Sequence, residues 1–177
     1  MNEFIEARGV DAYERGDYET ALAEFLPLAA QGDAAAQYNL ALMYGNGQGV
    51  PQDDQEAAKW FRRAAEQGYM KAQSFLAFMY DEGQGVPQDY QEAVKWYRRA
   101  AEQGYASAQS NLASMYVSGN GVPQDYVFAH MWANLAASQG GEGAGEKRDA
   151  IAKFMTPQQI AEAQRLAREW KAKGLRE

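Results

Sequence analysis

The residues able to do chemistry in this chain are few and scattered. It has one histidine, His130, and no cysteine, and no Ser–His–Asp relay, metal-ligand set or cofactor constellation is read around them. Asp53-Asp54 would suit general acid–base work as a carboxylate pair. Position 54 recurs as Tyr90, however, and Asp53 has the spacing of a helix cap. Gly45-Asn46-Gly47-Gln48-Gly49 has the glycines of a phosphate loop but follows a helix and lacks the Lys-Ser/Thr that would grip phosphate. His130 aligns with Leu22, Ala58 and Val94 at the edge of an apolar stripe, so a partly buried structural role is expected. No catalytic, cofactor-binding or metal residue is assigned, and the chain is not expected to be an enzyme.

What must position any functional group is a repeat of 36 residues. Ala21 recurs as Ala57, Ala93 and Ala129, Gly32 as Gly68, Gly104 and Gly140, and Val50-Pro51 as Val86-Pro87 and Val122-Pro123. Between 52–87 and 88–123, 26 of the 36 positions are identical, which makes these two units close structural copies. A period of this length marks a solenoid, in which each unit buries its apolar face only against its neighbours. Stacked units build an extended surface in place of an enclosed pocket.

Each unit reads as two helices. In helix A, Asp53 and Glu56 have capping-box spacing, repeated by Asp89 and Glu92. Ala57, Phe61, Ala64 and Ala65 form the stripe to be buried, with Gln55, Lys59, Arg62 and Glu66 opposite. Gly68 ends the helix in the left-handed conformation, as do Gly104 and Gly140. Helix B carries Ala72, Leu76, Met79 and Tyr80 inward, matched by Ala36, Leu40, Met43 and Tyr44 and by Ala108, Leu112, Met115 and Tyr116. A link Tyr-x-x-Gly-x-Gly-Val-Pro-Gln-Asp follows: glycines stop the helix, Pro keeps Val extended, and Asp caps the next helix. Neither helix is long enough to be stable alone, so burial between neighbours must supply most of the stability.

The series Ala72, Leu76, Met79-Tyr80, Gly83, Gly85-Val86-Pro87-Gln88-Asp89, Ala93, Trp96, Ala100-Ala101 and Gly104, repeated over about residues 16–144, resembles the Sel-one-like repeat (SLR) family of the tetratricopeptide superfamily. The family's usual Gly after the Leu is Ala41, Ala77 and Ala113 here. The resemblance implies an all-α fold, a right-handed α-α superhelix or solenoid of tetratricopeptide-like helix pairs, whose concave face is made by A helices and grips extended segments of partner proteins. Some relatives are linked to cell-wall ligands, so an enzyme or binding protein acting on such ligands is the alternative.

The ends depart from the pattern. Residues 2–15 read as a lone B-type helix, and Pro27 deep in the first helix A should kink it. Thr156-Pro157-Gln158-Gln159 opens a last helix, which would bury Ile160, Ala163, Ala167 and Trp170 as a terminal cap. The organisation expected is one solenoid domain over 1–177. It comprises an N-terminal helix 2–15, repeats 16–51, 52–87 and 88–123, a degenerate fourth repeat 124–155 and a C-terminal capping helix 156–173, with about nine helices in all.

With 24 acidic against 17 basic residues and a net charge of −7, the chain is poorly suited to phosphate backbones, and no nucleic acid is expected as a partner. The start Met1-Asn2-Glu3-Phe4-Ile5-Glu6 lacks the basic and apolar regions of a signal peptide. No window approaches the roughly 20 apolar residues of a membrane span, so membrane insertion is not expected. As written the chain would be cytoplasmic; begun after a removed signal peptide, it would read the same and be periplasmic or secreted. A monomer is expected.

The candidate surface is a partner-binding face of helix A: Gln55, Lys59, Trp60, Arg62 and Arg63, with Gln91, Lys95, Trp96, Arg98 and Arg99 in the next unit and Trp132 in the fourth. The bases also complement the helix dipole and can pair with Glu56 and Glu92, while the tryptophans can serve packing between repeats. Large amphipathic rings beside arginine are favoured interface anchors. A second candidate is the outer face of helix B at Phe75 and Phe78. Their counterparts are Asn39 and Asn111, and Leu42 and Ser114.

Overall fold

The computed structural model describes residues 2–174, with side chains from Glu6 to Lys171. Ten α-helices and no strand occur among them, in two compact units. The first contains α1 (Asn2–Glu14), α2 (Tyr18–Ala30), α3 (Ala34–Asn46), α4 (Asp54–Glu66) and α5 (Met70–Glu82). The second contains α6 (Tyr90–Glu102), α7 (Ala106–Ser118), α8 (Tyr126–Ser138), α9 (Ala144–Ala152) and α10 (Pro157–Gly174). Helices A are α2, α4, α6 and α8; helices B are α3, α5, α7 and the short α9, which brings the number above that expected.

The apolar periodicity becomes the core directly. Phe25, Leu28, Leu40 and Met43 are buried with Ala21 and Ala36 in the first unit, and Leu76 and Ala77 extend the pattern on α5. Leu112, Ala129, Ala133 and Leu135 do the same in the second. Ala41, Ala77 and Ala113 are fully buried, so the extra methyl groups sit inside the helix packing. Each buried Leu contributes about 1.5–3 kcal/mol, which is how 13-residue helices too short to stand alone are held.

The link is a fixed joint. Gly47, Gly83 and Gly119 end their helices in the left-handed conformation. The backbone N–H of Asp53, Asp89 and Asp125 then donates to the carbonyl of Tyr44, Tyr80 and Tyr116 at 2.9, 2.9 and 3.0 Å. This bond removes half of the expected capping box. The Asp53 carboxylate accepts from the Glu56 N–H at 2.9 Å, but the Asp53 N–H is already taken by Tyr44, so Glu56 turns to Lys59 Nζ at 2.7 Å. At the start of α10 the box is complete: the Thr156 N–H donates to Gln159 Oε1, and the Gln159 N–H to Thr156 Oγ1. Pro27 does not interrupt α2, which runs on to Ala30.

A feature absent from the sequence reading fastens one helix pair to the next. Buried Gln37, Gln73 and Gln109, on helices B, donate from Nε2 to the carbonyls of Ala29, Ala65 and Ala101 at 3.1, 3.1 and 3.0 Å. Those carbonyls lie in the last turns of helices A, where the N–H of Gly32, Gly68 or Gly104 occupies only one of the two lone pairs. The Gln67 amide reaches back to Gln37 Oε1 at 2.8 Å, and that of Gln139 to Gln109 Oε1 at 2.9 Å. The signal was available in the recurrence of a glutamine at the same place in three repeats, amid an apolar stripe.

Candidate protein-interaction surface

Within the first unit, α4 presents Gln55, Lys59 and Arg63 to solvent; within the second, α6 presents Gln91, Lys95 and Arg99. These positions are four apart, so each trio forms one exposed stripe. Lys59 pairs with Glu56 at 2.7 Å and Lys95 with Glu92 at 2.8 Å, yet the lysine side chains remain 66% and 50% exposed, leaving their ammonium groups open to a partner. The hydrogen bond that Lys59 donates to Glu56 raises the Lys59 pKa and keeps the group cationic.

Arg62 and Arg98 are engaged differently. Arg62 donates to the Tyr80 hydroxyl at 2.5 Å, and Arg98 to that of Tyr116 at 2.9 Å, so each ties its helix A to the helix B of the same repeat. The guanidinium of Arg63 lies over the Trp60 ring at 4.4 Å, and that of Arg99 over Trp96 at 4.6 Å. Such cation–π contacts contribute about 0.5–1 kcal/mol at exposed sites. Trp96 and Trp132 are only 4% exposed and Trp60 is half-buried, so these rings work mainly in packing. The indole nitrogens of Trp60 and Trp96 are buried without a hydrogen-bond partner.

The same face of α8 is apolar. Met131 and Leu135 stand where α6 has Lys95 and Arg99, and both are buried. Helix α10 packs on α8, placing Trp170 edge-on to Trp132 with ring centroids 5.1 Å apart. Beside this contact a cleft of about 340 Å³ is bounded by Arg98, Tyr116, Phe128, Trp132, Leu166 and Trp170. Its walls offer apolar area, one guanidinium and the carboxylates of Glu102 and Glu169.

His130 is fully buried, more than expected, and its Nδ1 has no partner. Burial, then the nearby charge of Arg148, lowers its pKa, with Asp149 opposing. Among the described residues no group of three His, Cys, Asp or Glu side chains could hold a metal ion, and no helix is long and apolar enough to cross a membrane.

The Sel1 repeat family matches residues 34–69, 71–105 and 106–141. No curated protein matches the chain. Among solved structures, a protective antigen of uropathogenic Escherichia coli strains displaying an SLR fold is 35% identical over 86% of this chain and 32% of its own, with a TM-score of 0.80. A Sel1 repeat protein from Oxalobacter formigenes is 34% identical over 88% of this chain and 63% of its own, also at 0.80. The chain thus spans about a third of the first protein and less than two thirds of the second.

Proposed function

This chain belongs to the Sel1 repeat family, whose members are generally protein-interaction scaffolds, and we propose that it is a non-catalytic scaffold for a partner protein or peptide. The partner would lie along the exposed face of the A helices, the concave face in the superfamily. One observation carries this reading: α4 and α6 hold the same outward stripe in cationic form, while on α8 the equivalent face is apolar and covered by the chain's own α10. A helix segment on α8 is thus an internal example of what an A-helix face accepts. The two stripes would add charge steering to shape and backbone contacts.

The test is reversal of Lys59 and Lys95 to Glu. A partner is first captured from the native host and identified by mass spectrometry, then titrated at two salt concentrations with a thermal melt as folding control. Weakened, salt-sensitive binding with an unchanged melt is the expected result. Unchanged affinity at both salt levels removes the stripe as the site.

A further inference from the structure

In the first unit a groove of about 200 Å³ opens between α3, α4 and α5, walled by Leu42, Phe61, Phe75, Phe78 and Met79. Its aromatic side is built: Phe75 stacks on Phe61 with centroids 5.2 Å apart and planes within 8°, and meets Tyr38 at 5.8 Å. Phe78 stands at the mouth, 43% exposed. Small residues, Ala41, Gly45 and Ala57, leave the floor open.

The repeat supplies an internal control. In the second unit the equivalent groove, between α7, α8 and α9, has Ser114 for Leu42, Lys147 for Phe75 and Ala150 for Phe78. The Lys147 ammonium there donates to Ser110 O, Ser110 Oγ and Ser114 Oγ at 2.8–2.9 Å. The helices stack in both units, so the phenylalanines of the first are not required by the packing of a repeat. They are extra apolar surface at one place.

The groove also has one ionisable wall, Asp54, and it too is peculiar to this repeat: the equivalent positions are Tyr18, Tyr90 and Tyr126. Helix capping falls to Asp53. Asp54 accepts from Gln84 Nε2 at 3.2 Å through Oδ1 only, and among the described residues no Lys or Arg pairs with it. A carboxylate without a cation, beside an apolar groove sized for one large side chain, is complementary to an apolar residue next to a positive charge. We propose that the Phe75–Phe78 groove docks a linear segment of a partner protein bearing a bulky apolar side chain followed or preceded by Lys or Arg. The apolar side chain lies against the exposed edges of Phe75 and Phe78, and the cation meets Asp54. This surface is separate from the helix A stripe and does not depend on it.

The probe is a peptide array in a Gly-Ser background, scanning all residues at two adjacent central positions, with fluorescence anisotropy on the best binders. The expected selection is Phe, Leu, Met or Trp beside Lys or Arg. Phe78→Ser, which installs the residue the next repeat carries, should weaken binding at least tenfold with little change in the melt. Asp54→Asn should erase the preference for Lys or Arg over Gln and the salt dependence, while keeping the apolar preference. It also serves as the test should Phe78→Ser fail to fold. Lys59→Glu with Lys95→Glu should leave this binding unaltered, which separates it from the scaffold reading above. A flat array, selection of Asp or Glu, or binding indifferent to both substitutions overturns the proposal. So does a flat array accompanied by a dimer, or by flotation with phosphatidylcholine vesicles, that Phe78→Ser abolishes, since the groove then belongs to a second copy or a lipid surface.

Discussion

A methyl group built on Gly121 would stand 2.2 Å from the carbonyl oxygen of Tyr90, and one on Gly85 would stand 2.2 Å from that of Asp54. The end of each helix B is thus pressed against the first residue of its own helix A, in a joint only a glycine fits. Both glycines also have positive φ, 70° and 67°.

Gly68 has positive φ as well, but nothing lies within 4 Å of the added carbon. Gly68→Ala is therefore expected to cost about 1–2 kcal/mol, the conformational penalty alone. Gly85→Ala and Gly121→Ala should cost a further ~1–3 kcal/mol for displacing backbone. Urea denaturation of the three variants checks this; equal losses would mean that the joint yields easily.

Gln109→Ala removes the Nε2 donor that the Ala101 carbonyl shares with the Gly104 N–H, and the short acceptor of the Gln139 amide, which keeps only the Leu135 carbonyl at 3.4 Å. Losing these two hydrogen bonds, each with a net value of about 0.5–1.5 kcal/mol, should cost about 1–3 kcal/mol. Gln55→Ala, whose side chain is exposed, should cost less in the same denaturation assay.

Burial holds the His130 pKa below its usual 6.5, so below that pH the unfolded chain binds a proton that the folded chain refuses. Stability then falls as pH drops from about 6.5 towards the lowered pKa, with a slope of up to about 1.4 kcal/mol per pH unit. In His130→Leu this component disappears. Melts of both proteins between pH 5 and 7.5 should therefore show the native chain losing stability relative to His130→Leu towards the acid end; parallel curves would show that His130 ionises freely in the fold.

Deleting residues from Thr156 onward uncovers Trp132, Met131 and Leu135 on α8. The truncated chain should aggregate or melt well below the full chain in light scattering and calorimetry. A soluble and equally stable truncation would show that α10 is dispensable for covering this face.

Much of this was legible because the repeat prints its grammar several times. Ala57, Leu76, Gly83 and Asp53 each have one local job, and the spacing of their copies reveals it. The recurrence of the glutamines was legible but their partners were not, because Gln37 bonds to a carbonyl eight residues back and to an amide 30 residues on, and neither distance follows from helical periodicity. The fate of the basic residues was only half legible. That Lys59 faces solvent follows from its position, but the reach of Arg62 to the Tyr80 hydroxyl depends on how two helices lean together. Burial of Trp96 and Trp132 likewise belongs to packing and not to local sequence.

The glutamine contacts also set the terms on which such repeats can be recombined. A block cut from 52 to 87 carries Gln67, whose amide seeks a glutamine in the block before it, and Gln73, which serves the block's own Ala65 carbonyl. Duplicated beside its sisters, the block finds every acceptor in place. Spliced behind a foreign block with an aliphatic residue at the position of Gln37, it loses the bond across the seam, and its amide keeps only the carbonyl of its own Arg63 at 3.4 Å. Copy number can then change freely by tandem duplication, whereas exchange between unlike arrays is filtered at the joints before any partner is met.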